Sequence, residues 1–213
     1  FKTTEYSVEG PFLAVAKVKE PFSRPRGTVE LDLTAARVLY LEQFVKPAGM
    51  RAELSTRFVP EESGEIVFES KLRLREVDGI LLQGAIGKTT LITLSAPPFD
   101  LAGWAEVFPA IAEYEAEGVI ELDGPSVELI EGSPSRFGGR ISLRGIGLAV
   151  PEAGRVRLRG SIVGEQTRIR TQGLRALIAG ATIAIKGSVD EPLGPGIFNL
   201  EIETSGDVEV NDL

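Results

Sequence analysis

Apolar and polar residues alternate one by one over long stretches of this chain. That two-residue period places successive side chains on opposite faces of a β-strand. From Thr28 to Thr34, Val29, Leu31 and Leu33 share one face while Glu30 and Asp32 share the other. From Glu65 to Arg75, Ile66, Phe68, Leu72 and Leu74 oppose Glu69, Lys71, Arg73 and Arg75. Arg155 to Arg159 and Phe198 to Glu203 repeat the pattern. Such alternation predicts antiparallel sheet with one wet face and one dry face. Between Arg140 and Leu148 the apolar phase slips by one residue near Gly145. A slip of one flips every later side chain, so a β-bulge is expected there.

One segment breaks the strand pattern. After Pro97, Pro98 and Phe99, Asp100 is placed to cap a helix from Leu101 to about Glu115, with Leu101, Trp104, Val107 or Phe108, and Ile111 at helical spacing. Pro109 falls inside it, so the segment is expected to kink or to split into two short turns. Trp104 and Phe108 read as packing against the sheet, with ligand stacking as the alternative.

The halves resemble each other loosely. Lys46-Pro47-Ala48-Gly49 has a counterpart in Val150-Pro151-Glu152-Ala153-Gly154, and Leu81 to Ile86 matches Ala184 to Val189 about one hundred residues later. The expected organisation is N-terminal strands over 1–26, a first β repeat over 27–116 ending in the helix, and a second repeat over 117–213.

Composition narrows the chemistry. The 213 residues contain no Cys and no His, which excludes disulfides, thiolate sites, imidazole bases and His-based metal sites. No cofactor and no metal are expected, and the chain is read as not an enzyme. Gly84 to Thr90 ends in Gly-Lys-Thr, but Leu82 stands where a phosphate loop needs its first Gly, and Leu91 to Leu94 continue as strand; the stretch reads as a turn. The carboxylate pairs Glu61-Glu62 and Asp190-Glu191 lie beside prolines and read as solvated turn residues. No run of eighteen apolar residues occurs. The chain begins with Phe1 rather than Met, so any anchor or export signal is expected outside it.

The net charge of −8 is uneven. Between Arg136 and Lys186 there are ten basic and two acidic residues, net +8, against thirteen basic and twenty-nine acidic residues elsewhere, net −16. This reads as a solvated Arg-rich strand face or as a surface for anionic headgroups. Nucleic acid is not expected as a partner, since the whole is acidic and the basic region lacks interleaved aromatics.

Several segments resemble the AsmA-like family of Gram-negative envelope proteins, which includes the TamB-type proteins. They are Gly27 to Ala36, Phe44 to Gly49, Leu94 to Leu101, Gly139 to Ile146, and Ile185 to Pro192. The resemblance implies a mainly β fold, a long antiparallel sheet curled into a β-groove with an apolar interior. It also implies a periplasmic location, anchored to the inner membrane by a segment outside this chain. The implied role is to bind or conduct phospholipid acyl chains between the membranes in support of outer-membrane integrity. Phospholipid or another acyl-chain lipid, and other envelope proteins, are the implied partners. The residues expected to line such a groove are Val29, Leu31, Leu33, Ile66, Phe68, Leu72, Leu74, Ile141, Leu143, Val156, Leu158, Ile183, Ile185, Phe198, Leu200 and Ile202. The apolar alternation is equally satisfied by a closed β-sandwich acting as a structural or scaffolding module.

Overall fold

The computed structural model describes residues 6–19, 26–41, 43–130, 133–192 and 196–205. The chain divides into two compact units: residues 1–97, 106–109 and 126–135 form the first, and residues 98–105, 110–125 and 136–213 the second.

The first unit contains β1 (Tyr6–Glu9), β2 (Leu13–Lys19), β3 (Arg26–Asp32), β4 (Arg37–Tyr40), β5 (Phe44–Lys46), β6 (Ala52–Pro60), β7 (Ile66–Leu74), β8 (Val77–Ile86) and β9 (Thr89–Ser95). Its main sheet runs in the antiparallel order β2-β3-β6-β7-β8-β9, and β1-β4-β5 form a separate small sheet. The register sorts side chains as the alternation requires. Leu31 faces Leu54, Leu54 faces Leu72, Leu72 faces Ile80, and Phe58 faces Phe68, all on one side. On the other side Glu53 faces Arg73, at 3.3 Å, and Arg57 faces Glu69. Opposed charges and opposed apolar pairs each add a few tenths of a kcal/mol up to about 1 kcal/mol. The Gly-Lys-Thr stretch is the β8–β9 hairpin turn, with Gly87 and Lys88 between the strands.

The second unit contains β10 (Phe99–Asp100), part of β11 (Glu117–Ile130), most of β12 (Ser133–Val150), β13 (Gly154–Gln166), β14 (Arg168–Ile178), β15 (Ala181–Asp190) and β16 (Ile197–Ser205). Strands β12 to β16 pair antiparallel in sequence order, and β10 pairs with β11. The bulge expected near Gly145 is present: Leu143 pairs with Gly160 and Ile146 with Leu158, so Arg144 and Gly145 bulge out. Gly145 holds φ +63°, a left-handed conformation that glycine adopts without the penalty of a Cβ. The bulge restores Ile141, Leu143, Ile146 and Leu148 to one face.

The helical segment is two short pieces, a 3₁₀ turn at Leu101–Trp104 and α1 at Pro109–Glu113. Asp100 caps the first by accepting from the Ala102 amide at 3.2 Å, as its position predicts. Pro109 opens the second, where its missing N–H costs nothing. Trp104 is buried and meets Phe99 edge-on at 6.0 Å. Leu101, Ala116 and Ile146 form a buried cluster in the second unit, against which Phe99, Ile111, Ile120, Leu143, Leu148 and Leu158 pack. In the first unit Phe108 meets Phe44 edge-on at 5.5 Å.

The expectation of a long sheet curled into a β-groove is corrected. The fold is mainly β with a short helical segment, but the sheet is neither curled nor closed. In each unit the strands follow an open path that ends on an outermost strand, β2 in the first and β16 in the second. Period-two alternation reports that one face leaves water; it carries no signal for curvature, which depends on accumulated twist along the paired strands.

Candidate functional site

The sixteen residues expected to line a groove lie on the predicted apolar faces and are divided between the two units. Val29, Leu31, Leu33, Ile66, Phe68, Leu72 and Leu74 belong to the first unit, and Ile141, Leu143, Val156, Leu158, Ile183, Ile185, Phe198, Leu200 and Ile202 to the second. Leu74 and Val156 are buried, and Phe198, Leu200 and Ile202 are exposed. The others are half-buried among neighbours on their own face. Leu31, Phe68 and Leu158 each border a separate surface hollow, and the one beside Leu31 is also lined by Glu30, Asp32, Glu53, Lys71 and Arg73. Leu143 and Leu158 touch the buried Leu101–Ala116–Ile146 cluster, so a segment of the protein itself occupies the place assigned to acyl chains. The lipid-conducting groove, and with it the acyl-chain transport function, is therefore withdrawn. The alternative of a closed β-sandwich fails on the same open sheet.

Two arrangements stand out. The first is Lys46, at the end of β5 and only 1% exposed. Its ammonium donates to the carbonyl oxygens of Ala36 at 2.6 Å, Pro47 at 2.9 Å and Thr34 at 3.2 Å. Three N–H groups meet three acceptors, which is how a buried cation is tolerated. Burial lowers the Lys46 pKa, and the charge of nearby Asp32 opposes that shift. Asp32 is itself held below the ordinary carboxylate range, first by its hydrogen bond from Thr34. Lys46 ties the turn after β3 to the turn after β5, where the Gly49 amide also donates to Thr34 O at 2.8 Å. A lone Lys beside Pro and Gly carries no sequence signal of burial.

The second is the free edge of β16. Among the described residues this strand has a neighbour on one side only, β15. Its apolar row is open to solvent, with Phe198 78%, Leu200 62% and Ile202 59% exposed. The opposite row carries Asn199, Glu201 and Glu203, and Lys186 of β15 reaches Glu203 at 2.8 Å. Among the described residues the outermost strand of the first unit, β2, is also paired on one side, by β3. It places Ala14, Ala16 and Val18 on one row and Lys17 and Lys19 on the other.

Among the described residues no group of three or more acidic side chains is placed to hold a metal ion. No helix among them is long and apolar enough to cross a membrane. No protein family, no curated protein and no solved structure matches the chain, so the envelope, lipid-transport and AsmA-like descriptions have no support from known relatives.

Proposed function

We propose that this chain is a structural module, not an enzyme, that assembles head to tail by pairing the β16 edge of one copy with the β2 edge of another. The observation that carries this reading is the β16 edge, with Phe198, Leu200 and Ile202 more than half exposed on a strand that, among the described residues, has one neighbour. Natural sheets blunt such edges because unpaired N–H and C=O groups recruit further strands. Here the guards are matched by sign: β16 carries Glu201 and Glu203, and β2 carries Lys17 and Lys19. Two β16 edges repel, two β2 edges repel, and a β16 edge meeting a β2 edge attracts.

An antiparallel register aligns most of both rows, with Val15 opposite Glu203 the exception. With Lys17 opposite Glu201, Ala16 falls opposite Ile202 and Val18 opposite Leu200, while Lys19 lies diagonal to Glu201 and Lys17 to Glu203. The contact is heterologous, so it propagates rather than closing into a dimer. A seven-residue edge buries less than the roughly 1,200 Å² of a standard interface, so association is weak and rises with concentration. Sedimentation equilibrium tests it. The native chain should associate increasingly as its concentration is raised, and Glu201→Lys with Glu203→Lys should abolish the association. Lys17→Glu with Lys19→Glu should abolish it too, and mixing the two reversed proteins should restore hetero-association. A native chain that stays monomeric, or a mixture no better than either variant alone, refutes the assignment.

A further inference from the structure

Lys186 of β15 stands directly opposite Glu201 of β16, yet its ammonium makes its ion pair diagonally, with Glu203 at 2.8 Å. That bond is the first cause holding the Glu203 carboxyl below the ordinary carboxylate range, so Glu203 is charged and compensated within its own chain. Glu201 has no cation at ion-pair distance among the described residues. Of the two carboxylates on the β16 edge, one therefore meets a neighbouring copy already neutralised and the other does not.

A slip of one residue between two strands turns every side chain to the other face, so the registers that compete differ by two. With Lys17 opposite Glu201, Ala16 meets Ile202 and Val18 meets Leu200, which makes one direct ion pair and two apolar pairs. Slipped by two, Lys17 meets Glu203, Lys19 meets Glu201 and Val18 meets Ile202, which makes two direct ion pairs and one apolar pair. Leu200 is then left beyond the end of β2 at Lys19. The opposite slip sets Lys17 against Asn199 and makes no direct ion pair. Charged and apolar cross-strand pairs are worth comparable amounts, so the first two registers are closely balanced on their pairs alone. Lys186 breaks the balance. Where Glu203 meets Lys17, two ammonium groups crowd one carboxylate; where Glu203 meets Val15, the apolar side chain faces a carboxylate that carries its own counter-charge. Given the head-to-tail pairing proposed above, we infer that Lys186 sets the register of the seam, by engaging Glu203 so that Lys17 of the next copy pairs with Glu201.

The chain contains no Cys, so introduced cysteines report the register directly. A disulfide needs Cβ atoms about 3.5–4.5 Å apart, a spacing that directly opposite residues approach and diagonal ones, at about 7–8 Å, do not. A chain with Ile202→Cys is mixed with one carrying Ala16→Cys or Val18→Cys and oxidised, and the mixed disulfide is measured on a non-reducing gel. A third couple, Leu200→Cys with Ala16→Cys, reports the opposite slip. The couple of Ile202→Cys with Ala16→Cys should exceed both others severalfold. Adding Lys186→Gln to the Ile202→Cys chain should move the ratio about fivefold toward the Val18→Cys partner, the worth of one cross-strand ion pair. Lys186→Arg, which keeps the cation, should leave the ratio as it was. Lys186 is exposed, so both variants are expected to fold. A largest yield from either slipped couple, equal yields from Ala16→Cys and Val18→Cys, or a ratio unmoved by Lys186→Gln overturns the role of Lys186 and leaves head-to-tail assembly standing. No mixed disulfide in any of the three couples overturns both.

Discussion

Replacing Lys46 with Met keeps most of the side-chain volume and removes the ammonium. The Thr34 carbonyl keeps the Gly49 amide at 2.8 Å and the Pro47 carbonyl keeps the Met50 amide at 3.4 Å, but the buried bond to Ala36 O, at 2.6 Å, is lost outright. An unsatisfied buried carbonyl costs about 1–3 kcal/mol, and each charge-assisted bond lost elsewhere adds up to about 1.5–3 kcal/mol before the remaining partners compensate. Relief from desolvating a cation offsets part of this, leaving an expected loss of about 2–4 kcal/mol. Urea unfolding measures the total, and hydrogen exchange at the Gly49 and Ala36 amides localises it to the two turns. A loss under about 0.5 kcal/mol, with protection unchanged at both amides, would show that the ammonium is not the tie. The alkaline limb supplies an independent check. Burial lowers the Lys46 pKa in the folded protein, so between that value and the ordinary lysine value near 10.4 the unfolded chain binds more protons. Stability therefore rises with pH through that window, and Lys46→Met should flatten this contribution.

On the acid side, Glu165, Asp190 and Glu203 are held below the ordinary carboxylate range by hydrogen bonds from Arg170, Arg168 and Lys186, and Glu53 and Glu69 by those from Arg51 and Lys71. Their stabilisation is present above the unfolded values of about 3.9–4.3 and is lost as pH falls through the lower folded values; because the pairs are exposed, added salt should shrink this acid limb in a pH–melting series. Thr56 and Ser70 share a 2.8 Å hydroxyl contact on the otherwise apolar face of the first unit. Ser70→Ala alone should cost about 1 kcal/mol, and adding Thr56→Val should cost less than the sum of the single changes, as a double-mutant cycle in urea would show. Gly139 holds φ +85° with space for a Cβ closed at 2.3 Å by Gly124 O, so Gly139→Ala should destabilise by more than about 2 kcal/mol in thermal unfolding.

The local pattern determined the elements. The two-residue period placed Ile66, Phe68, Leu72 and Leu74 on one face of β7, and the phase slip at Gly145 located a bulge that the register bears out. Asp100 and Pro109 marked where the helical turns begin because capping and the missing proline N–H act within a few residues. These are short-range effects, and a sequence carries them directly. Whether the sheet curls, what covers its dry face, and which side chains end without partners depend on groups distant in sequence. Leu158 reads the same whether it meets an acyl chain or the Leu101–Ala116–Ile146 cluster, since burial is non-directional and both remove it from water. Lys46 reads as a surface lysine until three carbonyls converge on it, and Arg159 and Arg175 read as two of many arginines until pairing sets them side by side. Those juxtapositions were left to the tertiary structure, because register and strand order alone decide which distant residues become neighbours.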